Sequence, residues 1–127
     1  MKYLLDTHAI LWYAQGNGEL SQNARSLMES ETCFYSIASL WEIAIKQKLG
    51  KLDMALAVTE LDEFCKNAGF QQLPINASHI EKTKTLDFIH RDPFDRLLIA
   101  QAKVEGCALL SHDRNFENYH EKCISLF

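Results

Sequence analysis

Four acidic residues stand where an apolar run or a helical repeat meets a turn. Asp6 follows Lys2-Tyr3-Leu4-Leu5, and Glu42 lies early in a helical repeat after Cys33-Phe34-Tyr35-Ser36. Asp95 falls in the first turn of a helix opened by Asp92-Pro93, and Asp113 stands just past Cys107-Ala108-Leu109-Leu110. Two carboxylates about 6 Å apart repel by about 3 kcal/mol at an effective dielectric of about 20. A shared proton or a divalent cation relieves that repulsion. An all-oxygen set suits Mg²⁺ or Mn²⁺ rather than zinc, and such ions hold a phosphodiester and activate water against it. Ser-His-Asp spacing, a Gly-rich phosphate loop and a nucleophilic cysteine are all missing from the chain.

Each acid also has a plainer reading. Asp6 can cap the helix beginning near His8, and Asp113 can close an Asx-turn. Glu42 precedes Lys46 by four residues, the spacing of a surface ion pair worth a few tenths of a kcal/mol. Asp92 suits an N-cap, and Pro93 suits the first helical position, where its missing N–H does no harm.

The elements that would position these acids alternate strand and helix. The first strand, residues 2–5, leads to a helix from Thr7 to Ala14, a turn at Gly16-Asn17-Gly18, and a helix capped by Ser21 and running to Ser30. Cys33–Ser36 reads as the second strand by its aromatic content. The next helix, Ile37 to Leu49, carries Ile37, Leu40, Trp41, Ala44, Ile45 and Leu49 as its inward stripe and stops at Gly50. Asp53 is expected to cap a helix over Met54–Asn67, followed by an edge strand at Phe70–Leu73 before Pro74. Asn76 or Ser78 starts a helix of about two turns, and Leu86–Arg91 is a loop. The Pro93 helix ends near Gly106; Cys107–Leu110 is a strand and Ile124–Leu126 a last one.

Apolar strands without polar alternation, separated by helices, indicate a parallel sheet covered on both faces. The fold class is therefore α/β, a three-layer α/β/α sandwich around a mostly parallel sheet, with residues 1–127 as a single domain. In that architecture strands end and helices begin on one edge, where ligand crevices form. Topology alone thus brings Asp6, Glu42, Asp95 and Asp113 to a common rim.

Composition narrows the function classes. With 13 basic and 17 acidic residues the net charge is −4, not the footprint of a generic basic nucleic-acid binder. The four acids account for that excess, so a cation-filled site would sit on a neutral protein. No apolar run reaches the roughly 18 residues of a membrane span, and Asp6 interrupts the N-terminal run too early for a signal peptide, so a cytoplasmic protein is expected. The four cysteines and five histidines are dispersed, without zinc-ligand or disulfide spacing.

Leu4-Leu5-Asp6-Thr7, Ser36-Ile37-Ala38-Ser39-Leu40-Trp41-Glu42-Ile43, Asp92 through Ala102, and Leu110-Ser111-His112-Asp113 together resemble the PIN-domain family, most closely the VapC-type toxins of toxin–antitoxin pairs. The resemblance covers essentially the whole chain. It implies a PIN-like fold and Mg²⁺- or Mn²⁺-dependent endoribonuclease activity. It assigns Asp6, Glu42, Asp95 and Asp113 as the catalytic, metal-binding acids and Ser111 as a supporting polar residue. It also implies an RNA substrate, a cognate antitoxin, a homodimer and no membrane association.

Where many relatives carry a further acid two positions beyond the last of the set, this chain has Asn115, which leaves open whether one metal binds or two. The alternative is a catalytically inactive PIN-like module that binds protein or RNA. A phosphatase with Asp6 as nucleophile fits less well, because His8 stands where a second acid would be wanted. Arg96 and Arg114 are positioned to meet phosphate, a neighbouring acid or a partner. Trp12, Tyr13 and Trp41 are candidates for lining a partner groove, although Trp41 lies on the inward stripe and is expected in the core.

Overall fold

The computed structural model describes residues 1–16, 18–86 and 92–111, and the backbone of 123–125. Its strands are β1 (Lys2–Leu5), β2 (Thr32–Ser36), β3 (Gln71–Leu73), β4 (Ala108–Ser111) and β5 (Cys123–Ser125). Between them run α1 (Thr7–Gln15), α2 (Gln22–Ser30), α3 (Ile37–Lys48), α4 (Val58–Asn67), α5 (Ala77–Thr83) and α6 (Pro93–Glu105). The five strands form one sheet in the order β3-β2-β1-β4-β5, and every pairing is parallel. Leu5 is in register with Tyr35 on one side and Leu110 on the other, so β1, β2 and β4 finish at the same edge.

Side-chain alternation along the strands splits the core into two layers. Tyr3 and Leu5 of β1, with Tyr35 and Leu110, face a cluster built from α1, α2, α3 and α4. Leu4 points the other way and joins Leu109, Leu98 and Ile99, so α6 covers the second face. The expected three-layer arrangement is present, and the sheet is wholly parallel rather than mostly so. Chain order runs outward from β1 through β2 to β3, then returns to β4 on the opposite side of β1. The strand order therefore reverses at the β1–β4 boundary, where open α/β sheets form their ligand crevice.

Helix starts follow their side-chain chemistry. Ser21, Asn76 and Asp92 cap α2, α5 and α6, each accepting a main-chain N–H from its own first turn. The expected cap at Asp53 does not form. α4 begins at Val58 instead of Met54, and Glu60 folds back to accept the Ala57 N–H at 3.2 Å. The Gln47 side-chain amide donates to the carbonyls of Met54, at 3.2 Å, and Leu56, at 2.8 Å. Those bonds hold the segment along α3, while Met54 and Leu56 pack on the larger core.

The inward stripe expected on α3 is corrected as well. Its buried residues are Ala38, Ser39, Leu40, Glu42 and Ile43, whereas Trp41 and Leu49 are 62% and 61% exposed. Two of these five buried residues, Ser39 and Glu42, are polar, so apolar spacing alone misplaces the face.

Candidate active site

The site is built outward from Asp6. Its N–H donates to the Leu110 carbonyl at 3.0 Å, which extends the β1–β4 ladder by one bond and fixes the main chain at the topological switch. The side chain then turns over the start of α1. Oδ1 accepts the Ala9 N–H at 2.8 Å and Oδ2 accepts the Ser111 hydroxyl at 2.8 Å. Asp6 is therefore a helix cap and a buried rim carboxylate at once, 4% exposed. Ser111 is the last residue of β4 and is buried.

Thr7 carries the network to α3. Its hydroxyl donates to Glu42 Oε1 at 2.6 Å and lies 3.2 Å from the Ser39 hydroxyl. Glu42, 7% exposed, uses its other oxygen to pair with Lys46 Nζ at 3.0 Å. Ser39 and Glu42 are three residues apart and share one helix face. Thr7 and Ser39 are site residues that acid-spotting missed; adjacency to Asp6 and helical spacing from Glu42 were the available signals.

Asp95 sits half-buried in the first turn of α6, where the helix N-terminus favours its charge. Asp92 makes the cap itself, accepting the Phe94 N–H at 2.8 Å. The rings of Trp41 and Phe94 meet edge to face with centroids 5.3 Å apart, joining the residue before Glu42 to the residue before Asp95. That contact ties the starts of α3 and α6 together at the sheet edge. Among the described residues, Asp6, Glu42 and Asp95 do not close into a three-ligand metal group. Asp113, Arg114 and Asn115 lie outside the described residues.

The donor set is all oxygen: the carboxylates of Asp6 and Glu42 with the hydroxyls of Thr7, Ser39 and Ser111. Both carboxylates are held in place by hydrogen bonds or an ion pair: Asp6 by the Ala9 N–H and Ser111, Glu42 by Thr7 and Lys46. Oxygen donors of this kind fit Mg²⁺ or Mn²⁺.

Other chemistries are disfavoured by burial. Cys33 and Cys65 are buried thiols pushed up to about 11 and about 12, chiefly by desolvation, and Cys107 is raised for the same reason. None of the three supplies a thiolate near neutral pH. Arg96 reaches from α6 towards α5. Its Nη2 donates to the Thr83 carbonyl at 2.9 Å, joining α6 to the end of α5. Tyr13 packs on Phe64 and Phe70 beneath Arg25, and Trp12 meets His8, so both are half-buried against the core.

Beside Glu42 runs a groove of about 490 Å³, lined also by Lys46, Leu49, Lys51, Asp92 and Phe94 among others. No described helix is long and apolar enough to cross a membrane.

No curated protein matches the chain in sequence. Among solved structures, VapBC2 from Rickettsia felis bound to a promoter DNA fragment superposes with a TM-score of 0.75 at 16% identity, each chain covered in full. VapBC-1 from nontypeable Haemophilus influenzae gives 0.70 at 13% identity, with 99% of this chain and 98% of the other covered. The Mycobacterium tuberculosis toxin VapC20, described as cleaving the sarcin–ricin loop, gives 0.61 at 16% identity, covering 94% and 95%. At such identities the likeness is one of fold. The PIN domain model matches residues 3–122, from the first strand to just short of the last, and the chain belongs to the PIN-domain family.

Proposed function

We propose that the chain is a divalent-cation-dependent endoribonuclease, the toxin of a toxin–antitoxin pair, acting in the cytoplasm with residues 1–127 as one nuclease domain. The observation that carries this reading is the pair of buried carboxylates at the β1–β4 switch, Asp6 and Glu42, joined through Thr7. Two acids so placed are costly to bury unless they have a charged ligand to serve. Asp6, Glu42, Asp95 and Asp113 would hold Mg²⁺ or Mn²⁺, and Ser111 and the Ala9 N–H fix the Asp6 carboxylate for that task. The bound ion would neutralise charge on the scissile phosphate and activate water. In-line attack then breaks the bond to the 3′ oxygen, leaving 5′-phosphate and 3′-hydroxyl ends. A cognate antitoxin and a homodimer complete the proposal, supported by the fold shared with the VapBC toxin–antitoxin complexes.

The test is RNA cleavage with Mn²⁺ by protein freed of any antitoxin. Asp6→Asn keeps a capping side chain and Asp95→Asn keeps its shape, so both variants are expected to fold, which circular dichroism checks. Each is expected to lose at least about a hundredfold in rate. Undiminished cleavage in either folded variant overturns the assignment, and a wild type that cuts no RNA with Mn²⁺ favours a non-catalytic binding module.

A further inference from the structure

Lys46 is the ion-pair partner of Glu42, and the chain delivers a second lysine to its side. α3 ends in a Schellman motif. The Gly50 N–H reaches the Gln47 carbonyl at 3.2 Å, and the Lys51 N–H reaches back to the Lys46 carbonyl at 2.9 Å. Gly50 makes this possible with φ +69°, a left-handed conformation costly for other residues. The motif therefore folds Lys51 back onto the turn that carries Lys46, and both line the groove beside Glu42 and Phe94. Among the described residues Lys51 has no ion-pair partner.

We infer that Lys46 is the resident counter-ion of the acid centre and, once a divalent cation takes over Glu42, becomes a phosphate ligand for the RNA strand, with Lys51 beside it. This rests on the nuclease reading above. A helical Glu–Lys pair at four-residue spacing is weak, and the Lys46 side chain is 39% exposed on a flexible stem. A divalent ion therefore displaces it readily. The groove carries Glu42 and Asp92 against Lys46 and Lys51, a balanced set, and the Asp92 carboxylate is engaged in its cap. When the cation compensates Glu42, the two lysines are left in excess next to the place where a phosphodiester must lie. The same displacement thus links loading of the cation to capture of the strand.

The probes are Mn²⁺ alone, by titration calorimetry, and a short mixed-sequence single-stranded RNA held in Ca²⁺. Lys46→Met is expected to bind Mn²⁺ severalfold more tightly, because a competitor has gone, yet to bind RNA about tenfold more weakly. Lys51→Met is expected to weaken RNA alone. Each substitution should reduce the slope of log affinity against log salt by about 0.7. Lys46→Arg should restore both affinities toward wild type. Opposite movements in one variant are a signature that general damage to the fold does not produce. Unchanged or weaker Mn²⁺ binding in Lys46→Met, or unchanged RNA binding in both methionine variants, overturns the inference while leaving the nuclease reading standing. Failure of the wild type to bind Mn²⁺ overturns both.

Discussion

Two buried polar clusters in this protein look alike and behave as opposites. Behind the sheet, His79 of α5 is fully buried, accepts the Asn76 N–H at Nδ1 over 3.2 Å, and meets Glu105 of α6 through Nε2 at 2.7 Å. With Nδ1 accepting, the neutral ring carries its proton on Nε2 and donates it to the carboxylate. Both ring nitrogens are matched, and Glu105 is partly solvated, so the pair is a closed fastener between two helices. At the rim, Asp6 and Glu42 bring two carboxylates and, among the described residues, a single lysine paired to one of them. In the reading proposed above, the first cluster serves stability and the second serves a ligand.

That contrast can be broken most decisively with metal. At free Mn²⁺ near a hundred times its dissociation constant, binding to the native state adds about 2.7 kcal/mol to unfolding. Glu42→Gln is expected to lose most of that gain. His79→Ala is expected to keep it, and urea denaturation with and without Mn²⁺ compares the two. Equal gains in both variants would show that the rim has no special claim on the cation.

The second test concerns stability without metal. His79→Ala removes both hydrogen bonds and leaves a hole between α5 and α6, and should cost about 2–3 kcal/mol. A cost below about 0.5 kcal/mol would show that the pair is no fastener.

A smaller effect sharpens the picture between β2 and α4. Tyr35 donates to Asp62 at 2.6 Å, and that bond, the largest influence on the group, holds the Asp62 carboxyl below the ordinary 3.8. Desolvation opposes the shift, while Lys66 and Gln72 add to it. A depressed acid stabilises the fold above its unfolded-state value, and the contribution disappears as pH falls through the lower folded-state value. Tyr35→Phe should cost about 1 kcal/mol near neutrality. It should also flatten the loss of stability below about pH 4, read as urea midpoints across the acid range.

Much of this was legible in the residues. Asp92-Pro93 announces the start of α6 and Gly106 its end, because cap geometry is local chemistry written in a few side chains. Uninterrupted apolar strands announce a parallel sheet, and from that follows the shared edge for Asp6 and the ends of β2 and β4. What failed was inference from apolar periodicity where burial is polar. Trp41 was expected inside, yet it stands exposed while Ser39 and Glu42 take the covered positions. The start of α4 failed for a related reason: Gln47, distant in sequence, captures the carbonyls of Met54 and Leu56 that a helix would have used. Strand order, with β4 placed beside β1, is a long-range choice that local patterns do not encode.

The hydroxyl of Ser111 reaches an aspartate 105 positions earlier in the chain. During synthesis, everything up to the end of α6 is made before that hydroxyl exists. β4, beside which the Asp6 main chain docks, is likewise still unmade. A partially translated chain thus has a half-built rim, and the Asp6 carboxylate gains its Ser111 partner only late in synthesis.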